Sequence, residues 1–152
     1  MDTEDKNVLA VQVRYPKFSL RVIVAHAPQE TDKPDVRERF FQSLKVEIER
    51  GELNGDSIVV MGDMNGRLQS DEPLNSVSPN GESLKELIED HKLHVANFHP
   101  NSVGKWTRIQ PTKKGLEQSV IDYILLDEGM YGQVADVVID ESVKFFRTTV
   151  LS

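Results

Sequence analysis

Asp63 and Asn65 stand two residues apart, directly after an apolar run, Ile58-Val59-Val60-Met61, and a glycine, Gly62. The run fits a buried strand, and a spacing of two lets both side chains project from one side of the strand's end. A carboxylate beside a carboxamide offers a proton acceptor or metal ligand next to a group that hydrogen-bonds without charge. The same residues also suit a plain Asp/Asn turn, in which they bond their own backbone.

A second carboxylate, Asp122, lies inside Val120-Ile121-Asp122-Tyr123-Ile124-Leu125-Leu126. Among β-branched and aromatic neighbours it either faces water on an edge strand or is a buried carboxylate with a partner. In the second case it orients a catalytic imidazole or helps hold a cation. A third run, Val22-Ile23-Val24-Ala25, ends in His26-Ala27-Pro28-Gln29, and Gly104-Lys105-Trp106-Thr107-Arg108 sets the single tryptophan between two bases and a threonine.

The elements that must position these groups follow from pattern. Residues 8–14 and 19–25 read as strands of a hairpin turning through Tyr15-Pro16-Lys17-Phe18. After a polar loop over 29–33, Pro34 suits the first position of a helix. Over 35–50, Val36, Phe40, Leu44 and Ile48 recur every four residues, Phe41 and Val46 widen the stripe, and Gly51 is expected to end the helix. A strand over 57–61, a polar loop over 69–79 and a second helix over 82–91, with Leu84, Leu87 and Ile88 inward, come next. Strands are predicted over 93–98, 120–126 and 134–139, with a last one over 143–151. Strands and two helices in mixed order indicate a layered α/β domain.

A chain of 152 residues is expected to form one domain with a substantial core. No apolar stretch reaches membrane-spanning length and the first residues lack a secretion-signal design, so an intracellular location is the default expectation, with no membrane partner. The absence of cysteine excludes disulfides and thiolate metal sites. A net charge of −7 argues against binding nucleic acid through bulk charge, yet a carboxylate-rich site lowers the total while local bases hold phosphates. Lys105, Arg108, Lys113 and Lys114 could form such a patch, although a solvated loop is the simpler reading for the last two. His91 suits a helix C-terminus, and His94 and His99 read as surface residues.

Taken in order, His26-Ala27-Pro28-Gln29, Gly62-Asp63-Met64-Asn65, Trp106-Thr107 and Ile121-Asp122-Tyr123-Ile124-Leu125 resemble the motif series of the endonuclease/exonuclease/phosphatase superfamily. That group includes abasic-site endonucleases, the DNase I group and LINE-type retroelement endonucleases, and the Ala-Pro-Gln turn is most similar to the last. The resemblance implies a DNase I-like layered β-sandwich with flanking helices, of which this chain carries only the middle and later part. It implies Mg²⁺-dependent (or Mn²⁺-dependent) hydrolysis of a nucleic-acid phosphodiester, DNA being the expected substrate. Asp63 is then the carboxylate that orients or deprotonates water or holds the metal, and Asn65 steadies the phosphate. Asp122 fixes the catalytic imidazole, and His26, where the family has tyrosine, donates to a phosphate oxygen. Gln29 replaces an asparagine; Arg67, Trp106 and Arg108 are candidates for substrate contact, with core packing the first reading for Trp106.

The departures carry equal weight. The family's metal-binding glutamate belongs to an N-terminal half not represented here, and its closing Ser-Asp-His is missing, with Ser152 at most its first letter. Little turnover is expected of this polypeptide alone. A sheet face left open to water is expected to drive homodimerisation, strand swapping or aggregation. Two rivals stand beside the nuclease reading: a phosphatase or lipid phosphodiesterase with the same motifs, and a non-catalytic remnant serving as an interaction or assembly module.

Overall fold

A computed structural model describes residues 5–68 and 77–141. The strand expected over 143–151 and most of the loop over 69–79 lie outside the described residues.

The chain opens with a hairpin of β1 (Val8–Arg14) and β2 (Ser19–His26), registered from Val8 opposite Ala25 to Arg14 opposite Ser19. The Tyr15 amide donates to the Phe18 carbonyl at 2.8 Å, and the two rings stack at 4.4 Å. Helix α1 (Pro34–Asn54) crosses over to β3 (Ser57–Asp63), which runs parallel to β2. Helix α2 (Pro79–Asp90) leads to β4 (His94–Val95) and a 3₁₀ turn over Ala96–Phe98. Short strand β5 (Ser102–Val103), a hairpin of β6 (Arg108–Thr112) and β7 (Gly115–Ser119), and β8 (Asp122–Leu126) follow. A short helix α3 (Glu128–Tyr131) and β9 (Val137–Val138) complete the order. The main sheet reads β1-β2-β3-β8-β4, antiparallel except for the β2–β3 pair.

One face of this sheet carries the core. Ile23, Ala25, Ile58, Val60, Tyr123 and Leu125 point to the helices and meet Phe40, Leu44, Ile48, Leu84 and Leu87. Side chains alternate along a strand, so the neighbours of these residues face the other way. There α3 covers Val59 and Leu126 at one end. Across the rest of that face Leu9, Val11, Val24 and Ile124 are 63, 50, 45 and 39% exposed. A row of large apolar groups at that exposure is the open sheet face expected from the sequence.

The differences from the sequence-based expectation have local causes. Helix α1 does not stop at Gly51; it runs to Asn54, and Gly55 in the left-handed conformation (φ 72°) ends it. Gly51 instead lets the helix approach the sheet: a Cβ there would stand 2.4 Å from Ile58 Cδ1 and 2.7 Å from Arg21 Cδ. Val36, expected in the core stripe, is 37% exposed, and Val46 is half-buried. Helix α2 starts at Pro79 because Ser78 caps it, its hydroxyl accepting from the Gly81 amide at 3.3 Å. The strand over 93–98 shortens to His94–Val95, and Asn97 extends the ladder with its side chain. Its Nδ2 donates to the Asp122 carbonyl at 2.9 Å and its Oδ1 accepts from the Ile124 amide at 3.0 Å. The strand over 134–139 shortens likewise to Val137–Val138.

At the sheet end remote from His26, Asp56 is enclosed among Ser19, Gln12 and Arg21. The Ser19 hydroxyl donates to Asp56 Oδ1, the Gln12 Nε2 donates to the same oxygen at 2.9 Å, and Arg21 Nη1 lies 4.0 Å from Oδ2. Foremost the Ser19 bond, then the Gln12 bond and the Arg21 and Arg14 charges, hold this carboxyl below the ordinary aspartate range, against the opposing effect of burial. A depressed carboxyl pKa contributes stability that is present above the unfolded value of about 3.9 and is lost as pH falls through the folded one. Asp56→Asn is therefore expected to cost about 1–3 kcal/mol at neutral pH. In urea unfolding its deficit against the parent should shrink below pH ~4.

Candidate active site

Sheet register brings the predicted residues together. His26 pairs with Asp63 across β2 and β3, and Asp63 pairs with Asp122 across β3 and β8, so the three form one row at the end of three strands. Directly opposed residues project from the same face. That face is the one opposite α1 and α2, because His26 follows Val22 and Val24 in alternation and Asp122 precedes Ile124. His26 Nε2 lies 3.8 Å from Asp63 Oδ2, with the side chains 70 and 32% exposed.

Asn65 reaches the row by another route than strand alternation. Strand β3 ends at Asp63, and Asn65 adopts a left-handed conformation with φ 43°. Asp63 Oδ1 accepts from the Asn65 amide at 2.9 Å, and Asn65 Nδ2 donates to the Ala27 carbonyl at 2.7 Å. The Asp/Asn turn and the presented carboxylate thus coexist: one oxygen of Asp63 closes the turn while Oδ2 faces His26. Asn65 spends one amide hydrogen tying the β3 turn to the turn after β2.

The second carboxylate is fixed through its backbone. The Thr107 hydroxyl, in a buried residue, accepts from the amides of Ile121 and Asp122 at 3.0 and 3.1 Å. Tyr123 clamps the loop after Asn65: its hydroxyl accepts from the Leu68 amide at 3.1 Å and lies 3.0 Å from the Gly66 carbonyl. Burial first, with the neighbouring Asp122 charge, pushes the Tyr123 phenol up to about 12.

The row opens on a cleft of about 900 Å³ lined by His26, Gln29, Asp63, Asn65, Arg67, Arg108 and Asp122 among others. Three cations, Lys6, Arg67 and Arg108, face five carboxylates, those of Glu30, Asp32, Asp63, Glu117 and Asp122. Gln29 is exposed on the rim, its amide donating to Asp32 Oδ2 at 2.8 Å. Arg108 Nη2 donates to Gln110 Oε1 at 2.5 Å. Trp106 is not brought to the cleft: half-buried, it carries Lys105 Nζ 4.6 Å above its ring, and its amide donates to Glu141 Oε1 at 2.8 Å. Lys113 and Lys114 form the turn of the β6–β7 hairpin.

A hard divalent cation fits this donor set only as a sparse site. Among the described residues no three His, Cys, Asp or Glu side chains cluster closely enough to enclose an ion. Mg²⁺ is commonly held through one or two carboxylates with water and substrate phosphate completing its shell. Asp63, a third exposed and with Asp122 beside it in register, meets that lesser requirement.

Sequence reasoning missed Lys6, Glu30, Ser78 and the β6–β7 hairpin as parts of the cleft. Ser78-Pro79 was a readable helix start that would have brought α2 to the site. The hairpin, polar and mostly exposed on both faces, has no alternation to announce it.

No family model and no curated protein matches the sequence. Solved structures do match. The endonuclease domain of TRAS1, a telomere-specific non-LTR retrotransposon, is 19% identical with a TM-score of 0.58, over 86% of this chain and 54% of that one. The 3' phosphatase NExo from Neisseria, bound to a product DNA hairpin, is 20% identical with a TM-score of 0.70, over 94% of this chain and 60% of that one. NExo of Neisseria meningitidis, described as a 3'-5' exonuclease, is 21% identical with a TM-score of 0.67, over 91 and 59%. The chain spans between 54 and 60% of the length of these structures. Its mixed sheet, with α1 and α2 packed on one face, has the DNase I-like fold of these structures.

Proposed function

We propose that the chain carries part of the active site of a metal-dependent nucleic-acid phosphodiesterase, with DNA as its substrate. The observation that supports this most is the row His26, Asp63, Asp122 at the end of the sheet, opening on a cleft that also holds Lys6, Arg67 and Arg108. In this reading the three cations offset the charge of the phosphodiester, and His26 donates to one of its free oxygens. Asp63 takes a proton from water as the water oxygen bonds to phosphorus; the opposite ester P–O bond breaks and solvent protonates the leaving oxygen. Asp63 and Asp122 would hold Mg²⁺ or Mn²⁺, which when bound neutralises charge on the phosphorus oxygens.

Magnesium-dependent nicking of supercoiled plasmid by the chain and by Asp63→Ala tests the reading. Activity lost in the variant supports it; silence in both favours the non-catalytic module. Parallel assays with inositol phosphates and sphingolipid head groups separate a phosphatase or lipid phosphodiesterase.

The open sheet face belongs to the same proposal. Leu9, Val11, Val24 and Ile124 need a cover, and a second copy is the available one for the isolated chain. Light scattering at high concentration is expected to give a dimer or larger species, and a well-behaved monomer contradicts this. No described helix is long and apolar enough to cross a membrane, and an intracellular location remains part of the proposal.

A further inference from the structure

The turn after β2, the turn after β3 and the first turn of α2 converge on one side chain outside every motif. Asn80 is fully buried. Its Nδ2 donates to the Pro28 carbonyl at 2.8 Å and to the Asn65 carbonyl at 3.2 Å, and its backbone amide donates to Glu30 Oε1 at 3.1 Å. Its Oδ1 is buried with no hydrogen-bond partner among the described residues. Backbone crowds against it: a Cβ on Gly66 would stand 2.7 Å from the Gly81 amide nitrogen and 2.9 Å from Asn80 Cβ.

A buried carboxamide with an orphan oxygen is a costly way to fill space, since an apolar residue would avoid the desolvation. What only the amide supplies is a pair of donors reaching two carbonyls on different turns. One belongs to the turn that follows His26, the other to Asn65, whose amide is in turn held by Asp63 Oδ1.

We propose that Asn80 is a positioning residue for the phosphodiester site, its Nδ2 setting the separation between the turn bearing His26 and the turn bearing Asp63. The inference rests on the nuclease reading for its purpose, while the geometry it claims is measurable in the free chain. Aspartate at 80 keeps the shape and removes both donors, and alanine removes them without adding charge.

The test compares the parent chain with Asn80→Asp, Asn80→Ala and Asp56→Asn. The last is destabilised at the far end of the sheet and serves as the stability control. Amide NMR shifts of Gln29 and Asn65 are recorded in the free proteins, then during titration with a phosphorothioate oligothymidylate in Mg²⁺. Both position-80 variants are expected to move the free shifts of Gln29 and Asn65 and to weaken oligonucleotide binding by about tenfold, the loss of one well-made contact. Asp56→Asn should leave both readouts within twofold of the parent. If Asn80→Asp fails to fold, Asn80→Ala carries the comparison.

Unchanged Gln29 and Asn65 shifts in a folded position-80 variant overturn the inference, as does a matching loss of binding in Asp56→Asn. A parent chain that ignores the oligonucleotide counts against the nuclease reading instead, and the free shifts still decide whether Asn80 sets the two turns.

Discussion

Asparagine at position 63 is expected to reduce Mg²⁺-dependent nicking by on the order of 10²–10⁴-fold, in any preparation where the parent chain nicks plasmid. The size follows from what the substitution removes. Asp63 Oδ1 already serves the turn by accepting from the Asn65 amide, and a carboxamide oxygen can keep that bond. Oδ2, 3.8 Å from His26 and facing the cleft, is the proton acceptor and metal ligand of the proposed reaction, and an amide nitrogen there can be neither. Folding stability should change by less than about 1 kcal/mol, because the fold keeps its turn. Asp63→Ala removes both functions and should lose activity and some stability together. Initial nicking rates set against urea midpoints separate the two contributions, and an asparagine variant nicking at the parent rate would contradict the role assigned to Asp63.

Gly62→Ala is expected to destabilise the chain by about 3–5 kcal/mol, a large share of the ~5–15 kcal/mol typical of a domain. Gly62 sits at φ 146°, in the region that favours glycine, opposite Ala25 on β2 and Tyr123 on β8. A Cβ there would lie 1.8 Å from the Ala25 carbonyl oxygen and 2.8 Å from its carbonyl carbon. Both are backbone atoms of an adjacent strand, so no side chain can turn aside to relieve the contact. The strands must part at the place that registers His26 against Asp63. Circular dichroism through a urea gradient reads the loss directly, and a midpoint within error of the parent would show that the sheet end yields more easily than its packing indicates.

Gly62 also shows why the sequence was informative where it was. A glycine before Asp63 is required by strand packing, the aspartate by the turn and the cleft, and the apolar run before them by the core. Three independent demands on neighbouring residues make a recognisable string. Strands β1 and β2 were legible for a similar reason, having alternation on one face and a proline turn between them. The stripe Phe40, Leu44, Ile48 placed α1 correctly because buried helix positions repeat with the helix period.

What could not be read depended on contacts distant in sequence. Gly51 resembles a helix stop until β2 and β3 are seen pressing on it through Arg21 and Ile58. Asn97 looks like part of a strand, yet its side chain does the pairing that backbone was expected to do. Trp106 stands in the motif series with core packing as its first reading, and it is the buried hydroxyl of Thr107 beside it that holds the Asp122 amide. Asn80 gives no local signal at all, because its partners lie 15 and 52 residues away in sequence.

The most direct test of the central claim is Mn²⁺ titration of the isotope-labelled chain, followed by paramagnetic loss of amide signals. With the row of Asp63 and Asp122 as the cation site, the amides of Asp63, Met64 and Asp122 should fade first, at low stoichiometry, and Mg²⁺ should restore them. Loss beginning instead at the acidic groove between α1 and α2, where Asp35, Glu38, Glu86 and Asp90 gather, would contradict the account.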